Sequence, residues 1–555
     1  MAQTPAHQTA VTRRLSGFEI SALLVALLIS VPLLTIAATL LLAGPSATWS
    51  HLAATVLPDY IASTLLLCLG VAVGTIVVGT SVAWLVTMHE FPGRRVFEWA
   101  LVLPLAVPAY VMAYTYTDLL QFVGPVQTWI RATFALKAGD YWFPEIRSLN
   151  GAIAIFVAVF YPYVYLLARN AFLEGGPGMA DAGRSLGLGP WQRFYRIALP
   201  LARPAIAAGG ALALMETLAD YGAVSYFGVQ TFTTGIYRAW FSLGDRLAAA
   251  QLSAVLLGCV ALILLLEQLT RGRARFHNAS SRRQLAPGRP LRGVRAMLAM
   301  LACLLPLTAG FLVPAGTLLH MAFTEGDAQF GERFLHLARN SFLLAILAAG
   351  FGVALALLLA SAARSARHAA PRIANRVVAL GYALPGSVIA VGVLIPVTRL
   401  DTWLATAIQD ISGHNPGLLL TGGVAALVYA YLVRFLAISL QTVEAGLKRI
   451  TSSMDDAART LGCAPQATLW RVHLPMLRGS LLTAGLLVFV EVMKELPATL
   501  VMRPFNFDTL ATQAFVLASD ERLAEAATAA LAIVAVGVLP LILISREIAR
   551  SRRSA

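Results

Sequence analysis

The sequence is poor in charge and has almost no lysine. Only 13% of its 555 residues are Asp, Glu, Lys or Arg, and lysine occurs only at Lys137, Lys448 and Lys494. Hydrophobic residues make up 58% of the chain, well above the range of soluble globular proteins. The shortage of charge excludes a soluble globular protein and predicts a chain that crosses a membrane many times.

Cysteine and histidine are also scarce. The four cysteines (Cys68, Cys259, Cys303 and Cys463) share no metal or disulfide spacing, and three fall in apolar runs, where cysteine behaves as a small hydrophobe. The nine histidines are scattered and form no His-x-x-x-His pair. We expect neither a disulfide framework nor a permanent metal site.

A phosphate-binding loop is missing as well. The pattern G-x-x-x-x-G-K-[ST] does not occur, and none of the three lysines follows a glycine. The chain is therefore expected to be no enzyme and to bind no cofactor of its own. Any ATP and magnesium would belong to a separate polypeptide.

Long apolar runs are what the sequence has instead. A hydrocarbon core of about 30 Å takes roughly 20 helical residues, and twelve runs are long enough: 17–43, 60–88, 96–121, 150–173, 203–228, 247–270, 293–321, 338–363, 374–398, 416–440, 478–501 and 524–546. The first run is longer than the apolar part of a signal peptide, so we interpret it as a retained helix. The prediction is an all-α membrane protein with about twelve transmembrane helices.

The net charge of +14 is distributed unevenly. With a cytoplasmic N-terminus, about three quarters of the basic residues fall in or beside cytoplasmic segments, as the positive-inside rule requires. Eight arginines lie in the linker 271–295 between the sixth and seventh runs, where anionic lipid explains them better than nucleic acid. We predict a permease domain at 1–270, this cytoplasmic linker, and a second permease domain at 296–555. Both termini would be cytoplasmic.

The division is supported by an internal repeat. DAGRSLGLGPWQRFYRIALP at Asp181–Pro200, the first elbow, returns as DAARTLGCAPQATLWRVHLP at Asp456–Pro475, the second elbow. Nine of the twenty positions are identical, and the copies are 275 residues apart. Six runs precede the linker and six follow it, so the halves are parallel repeats and both elbows are cytoplasmic.

Each elbow is predicted to be a short helix, a turn and a second short helix. Gly187 and Gly462 suit the left-handed residue of the turn, and Pro200 and Pro475 mark the re-entry into the membrane. An amphipathic helix that only rests on lipid would explain one copy. It does not explain two copies with the same spacing.

The elbows resemble the coupling motif of permease subunits in binding-protein-dependent ABC importers. That motif reads Glu-Ala-Ala, three residues, glycine, nine residues, isoleucine, one residue, Leu-Pro. The matching positions are Asp181, Ala182, Gly183, Gly187, Ile197, Leu199 and Pro200 in the first elbow, and Asp456, Ala457, Ala458, Gly462, Val472, Leu474 and Pro475 in the second. The departures are aspartate for glutamate in both copies, Gly183 for the second alanine and Val472 for isoleucine.

The resemblance implies the type I ABC importer permease fold. It also implies that each elbow is a coupling helix that docks in a cleft of a cytoplasmic ATPase subunit, of which the complex has two copies. A secondary transporter of the major-facilitator type also has parallel halves, but of its usual loop motif only Gly-Arg-Arg occurs here, within HEFPGRR at His89–Arg95. A channel or scaffold protein would give no reason for two elbows with the same spacing.

Ionisable residues occur within the apolar run that follows each elbow. They are Glu216 and Asp220 in the first half and Glu491, Lys494 and Glu495 in the second. Each acidic pair has i, i+4 spacing, which predicts one shared helix face near the middle of the bilayer. A charge at that depth costs at least about 2.5 kcal/mol, so these groups face the bundle interior or water. They either line a cation pathway between the halves or form a structural network, and the sequence leaves both open.

The residues around these acids resemble fused ferric-iron importer permeases. The stretches are Glu216–Asp245 and Glu491–Ala527. The resemblance implies iron transport across a bacterial inner membrane, with a periplasmic ferric-ion-binding protein as partner. Permeases for thiamine and polyamines remain alternatives. The outer segment Phe122–Asn150 is predicted to contact the loaded binding protein, although its aromatic residues also suit a membrane-interface belt.

Overall fold

The computed structural model describes residues 17–553, apart from 43, 45, 186, 272–288, 325–330 and 367. Most of the arginine-rich linker that the sequence predicts at 271–295 therefore lies outside the described residues. At some further positions, among them 175–184, only the backbone is described.

The described chain is almost entirely helical. Helices of the first half are α1 Gly17–Leu42, α2 Ala47–Thr55, α3 Leu57–Met88, α4 Arg94–Ala100, α5 Ala109–Leu120, α6 Pro125–Phe134, α7 Leu149–Ser185, α8 Pro190–Arg193, α9 Leu199–Ala219, α10 Gly222–Tyr226, α11 Phe232–Tyr237 and α12 Arg246–Arg271. Helices of the second half are α13 Val294–Leu307, α14 Val313–Thr324, α15 Glu332–Ser365, α16 Ala370–Ala379, α17 Gly386–Ser412, α18 Ala425–Leu447, α19 Ser452–Thr460, α20 Pro465–Thr468, α21 Leu474–Met493, α22 Pro497–Met502, α23 Leu510–Ser519 and α24 Leu523–Arg553.

Short irregular segments link several of these helices. Two 3₁₀ turns span Leu103–Ala106 and Leu380–Ala383, and π-helical turns span Phe194–Ala198, Arg238–Ser242, Thr308–Leu312 and Leu469–His473. The strands β1 (His89–Glu90) and β2 (Arg289–Pro290) pair in parallel. This pairing fixes the end of the linker against the loop after α3.

The prediction of an all-α membrane protein is confirmed. Within the described residues, eleven helices are long and apolar enough to cross a membrane, and a bent pair makes twelve if it counts as one span. That pair, Arg94–Ala106 and Ala109–Phe134, bends by 92°. The third run, predicted at 96–121, thus corresponds to a bent pair of helices rather than one continuous helix, because Pro108 has an extended conformation at the start of α5.

Other predicted helices also break. The run 374–398 is divided between α16 and α17, where Pro385 occupies the same position as Pro108. The runs 203–228 and 478–501 end early, at Ala219 and Met493, and each continues as a separate short helix. Hydropathy alone could not place these breaks, because it averages over a window of about 19 residues and each run as a whole remains apolar.

The two halves have matching three-helix cores. In the first half α3, α7 and α9 pack against one another, and in the second half α15, α18 and α21 do the same. The first helix of each half crosses to the other half: α1 packs on α16 and α17, and α13 packs on α3 and α4. The halves are therefore interlocked.

Candidate functional site

The turn of each elbow contains a glycine whose backbone has the left-handed conformation. Gly187 has φ +69° and Gly462 has φ +78°, and the space where a Cβ would lie is open at both. In the second elbow the amides of Gly462 and Cys463 bond to the carbonyls of Arg459 and Ala458, which satisfies the last carbonyls of α19. Only the backbone of Asp181, Ala182 and Gly183 is described.

A π-helical turn precedes the Leu-Pro pair in each elbow, at Phe194–Ala198 and Leu469–His473. Such turns are often found at functional sites. Ile197, Leu199 and Pro200 are half-buried there, as are Val472 and Leu474, while Pro475 is exposed. Of the remaining motif residues in the second elbow, Asp456 and Ala457 are exposed and Ala458 is buried.

Both elbows present large exposed side chains. Trp191 and Tyr195 are exposed in the first elbow, and Leu461 and Trp470 in the second. Trp470 occupies the position of Tyr195 in the repeat. Exposed aromatic residues on a rigid turn are typical anchors of a protein interface.

Arg364, at the end of α15, holds the second elbow. Its guanidinium donates to the carbonyls of Leu447 at 2.6 Å and Ile450 at 2.8 Å, which belong to the C-terminal end of α18 and the following turn. It also pairs with Asp455 at 2.8 Å. The second carboxylate oxygen of Asp455 contacts Nε2 of His473 at 2.7 Å. These residues form the Arg364 clamp.

The Arg364 clamp explains a difference between the elbows. In the second half α18 ends at Leu447, and α19 is a separate helix. In the first half α7 runs without a break through Asp181 to Ser185, so the separate first short helix predicted there is wrong. Ala180 and Ala198 lie 275 residues before Asp455 and His473, while α3 and α15 align at the 277-residue spacing of Pro108 and Pro385, which places Thr87 opposite Arg364. The first half therefore has no arginine matching Arg364 that could bind the carbonyls at the end of the helix.

The first elbow is held by aromatic packing. Phe194 lies 4.9 Å from Trp84 of α3 between ring centroids, and Trp84 lies 5.3 Å from Phe172 of α7. Trp191 stacks on Tyr195 at 6.1 Å. These rings join the elbow to the first-half core.

The second acid of each predicted pair lies beyond the end of its helix. Asp220 follows α9 and accepts hydrogen bonds from the amides of Ala223 at 2.8 Å and Val224 at 3.2 Å. Glu495 follows α21 and accepts from the amides of Ala498 at 2.9 Å and Thr499 at 3.0 Å. The shared helix face predicted for each pair is therefore wrong, because these carboxylates bind the free amides at the start of α10 and α22.

All five predicted pathway residues nevertheless line one cavity of about 90 Å³ between the halves. They are Glu216, Asp220, Glu491, Lys494 and Glu495. Lys494 pairs with Glu491 at 2.9 Å, within the same segment of the second half. Their role in a pathway stays a prediction.

Sequence reasoning missed a sixth charged residue in this cavity, Arg434 of α18. Its guanidinium lies 3.2 Å from Glu495 and 3.9 Å from Glu216 of the other half. Tyr382 donates a hydrogen bond to Glu216 at 2.8 Å, also across the halves. A signal was present, since Arg434 is a lone charge in the apolar stretch LVYAYLVRFLAISL, and such charges usually face the bundle interior.

The outer segment Phe122–Asn150 forms α6 and the loop that leads to α7. Trp129 and Trp142 are exposed, and Trp142 is 86% exposed. A cavity of about 390 Å³ lies beneath the loop. Its contact with a binding protein stays a prediction. Among the described residues, no group of three His, Cys, Asp or Glu side chains is placed to hold a metal ion.

Comparison with known proteins finds one protein family twice in the chain. Residues 75–275 and 352–553 each match the family described as "Binding-protein-dependent transport system inner membrane component". The chain is 28% identical over 501 residues to the Fe(3+)-transport system permease protein FbpB 2 of Haemophilus influenzae, covering 88% of this chain and 90% of that protein.

Two further relatives match smaller shares. The ferric transport system permease protein FbpB of Actinobacillus pleuropneumoniae is 23% identical over 444 residues, which are 75% of this chain and 60% of the relative. The sulfate transport system permease protein CysT of Escherichia coli is 32% identical over 151 residues, which are 27% of this chain and 51% of the relative.

Proposed function

The chain belongs to the family of inner membrane components of binding-protein-dependent transport systems, and on that premise we propose that it carries ferric iron into the cytoplasm. It is a multi-pass inner-membrane transport subunit with two permease units in one chain. The observation that carries the choice of cargo is the acidic cavity between the halves. Four carboxylates and two basic groups line it, which suits a cation and disfavours sulfate.

The relatives support iron among the cations. The relative that matches almost end to end is named for Fe(3+) transport, whereas the sulfate permease matches about a quarter of this chain. Thiamine and polyamines are the competing cargoes. A periplasmic binding protein delivers the ion at the outer face, where Trp142 and the loop before α7 are exposed.

The two elbows are the docking sites of the ATPase subunits, one subunit for each elbow. In this proposal the elbows, the linker and both chain termini are all cytoplasmic. ATP and magnesium bind the ATPase subunits. The purified chain alone is therefore expected to show no ATP turnover, and turnover in a preparation free of other ATPases would overturn this assignment.

The cargo is tested by isolating the binding protein that docks to this permease and analysing what it carries. We expect ferric ion, and uptake of radiolabelled iron by vesicles that contain the whole complex. Thiamine or a polyamine in the binding protein, without iron, would overturn the iron assignment and leave the permease assignment standing.

The pathway is tested by two neutral pairs, Glu216→Gln/Asp220→Asn and Glu491→Gln/Glu495→Gln. We expect each pair to slow iron uptake per assembled complex while the ATPase still binds, because the cavity is formed by residues outside the elbows. Normal uptake per complex with a lower protein yield would instead assign these residues to a structural network.

A further inference from the structure

Arg434 occupies a central position among the acids. It belongs to the second half, yet its guanidinium reaches both Glu495 of its own half and Glu216 of the first half. Gly386 leaves room for this arrangement, because a Cβ there would lie 2.7 Å from a carboxylate oxygen of Glu495 and 3.0 Å from Nη1 of Arg434. The guanidinium and the two carboxylates thus meet where the halves face each other.

The two contacts of Arg434 differ in how firmly the acid is held. Glu495 is 4% exposed and is fixed by two backbone amides and the hydroxyl of Thr499. Glu216 has a looser arrangement, with Tyr382 as its hydrogen-bond donor and Arg434 at the longer distance of 3.9 Å. The contact between Arg434 and Glu216 is therefore the weaker of the two.

Two residues that line the cavity have a polar atom without a hydrogen-bond partner among the described residues. Tyr110 lines the cavity, is 4% exposed, and its hydroxyl has no hydrogen-bond partner among the described residues. Nε of Arg434 is likewise buried without a partner in the described part of the chain. Buried polar groups usually have a hydrogen-bond partner, so both groups are available to water or to a ligand in the cavity.

We propose that Arg434 is a resident counter-cation that occupies the position of the cargo between Glu216 and Glu495 and decides which cations displace it. This inference rests on the proposed function only in taking a multivalent cation as the cargo. Arginine is always charged, so its positive charge is present in every state of the transporter.

The selectivity follows from charge and tethering. A monovalent cation brings no more charge than the guanidinium, which is attached to the chain and so has a high local concentration. A trivalent cation interacts with the same carboxylates about three times as strongly at equal distance. Arg434 would thus exclude sodium and potassium ions from the cavity between transport events. A trivalent ion that the binding protein delivers would displace the guanidinium from Glu216 and Glu495.

The test uses terbium(III) as a trivalent probe, because nearby tyrosines such as Tyr110 sensitise its luminescence. The assembled complex of permease and ATPase is titrated in lipid nanodiscs without the binding protein. We expect Arg434→Gln to bind terbium about tenfold more tightly or better, since a like charge within about 4 Å repels a cation even at an effective dielectric constant near 20. Arg434→Lys keeps the charge and should behave as the unmodified protein does.

Two comparisons assign the signal to this cavity. Adding Glu216→Gln to Arg434→Gln should abolish the gain in affinity, whereas terbium bound elsewhere would be unaffected. Excess potassium should compete with terbium more effectively in Arg434→Gln than in Arg434→Lys. Equal terbium affinity in Arg434→Gln and Arg434→Lys would overturn the proposal.

A second design keeps the proposal testable if Arg434→Gln fails to assemble. Arg434→Gln/Glu495→Gln removes both buried charges together, and Glu495→Gln alone is its reference. We expect the double variant to bind terbium more tightly than the single one, and equal affinity would again overturn the proposal. Failure of the iron assignment would appear separately, as a binding protein loaded with another cargo.

Discussion

The first elbow is held to its half by aromatic rings, whereas the second elbow is held by the Arg364 clamp. Phe194 packs on Trp84 in the first half, and the repeat has Leu469 and Ser361 at those positions in the second. The motif and the left-handed glycine are common to both elbows, but the supporting contacts are not. The comparison teaches that the two elbows share their turn and differ in the helix before it and in the contacts that hold it.

The acids in the cavity differ between the halves in a similar way. Glu491 is paired within its own half by Lys494, while Glu216 is contacted by Arg434 and Tyr382 of the other half. Arg434 has no counterpart in the first half, where Val159 occupies its position in the repeat. The cavity is therefore asymmetric although the halves are repeats.

The largest expected effect is on the free energy of unfolding, and it differs between Glu495 and Asp220, the two acids that cap short helices. Glu495→Ala should destabilise the protein by about 3–5 kcal/mol, because it leaves Arg434 buried without its nearest partner. Asp220→Ala should cost about 1 kcal/mol, as for the loss of a helix cap. Thermal unfolding of the purified chain in detergent measures both. Equal losses would contradict the asymmetry of the cavity.

The next effect tests the two supports of the elbows. Phe194→Ala should loosen the first elbow by up to about 3 kcal/mol through lost burial, and Arg364→Gln should loosen the second by about 1.5–3 kcal/mol through lost charged hydrogen bonds. Hydrogen exchange at the amides of each elbow reports the local loss. Each variant should affect its own elbow, and exchange that rises equally in both elbows would contradict separate supports.

A smaller effect concerns the turn that the elbows share. Gly187→Val and Gly462→Val should each cost about 1–2 kcal/mol, because a side chain is disfavoured at positive φ, and both should reduce co-purification of the ATPase and coupled iron uptake. Gly479→Ala is the matched control, since this glycine is helical and a Cβ there meets open space. Normal uptake by a well-expressed Gly462→Val would remove the coupling role of the second elbow.

The smallest effect is a pH dependence of the second elbow. Burial raises the pKa of Asp455, but hydrogen bonds from His473 and Arg364 outweigh it and leave the pKa below its usual value. A lowered carboxyl pKa gives stability that is complete above the unfolded pKa near 3.9 and is lost as pH falls through the folded value. Proteolysis of the second elbow should therefore rise only below about pH 4, and Asp455→Asn should abolish that rise.

Much of this architecture could be predicted from the sequence, because long apolar runs and left-handed glycines depend on local residues. The helix breaks at Pro108 and Pro385 were missed, since hydropathy averages over a window and does not register a change of direction. Arg364 and Tyr382 were missed for another reason: their partners lie 83 to 166 residues away, as for Leu447 and Glu216. Such pairing is set by the packing of whole helices.

The exchange of first helices between the halves has a consequence for synthesis. Besides α12 of its own half, α1 packs on α16 and α17, which begin roughly 330 residues further along, so tens of seconds pass at about 5–20 residues per second before these two helices emerge from the ribosome. Only 28% of the apolar stretch of α1 is buried in the folded protein, so lipid can solvate most of the surface of this helix before α16 and α17 are synthesised. The speed of translation between α1 and α17 thus sets how long this helix lacks its native contacts with the second half.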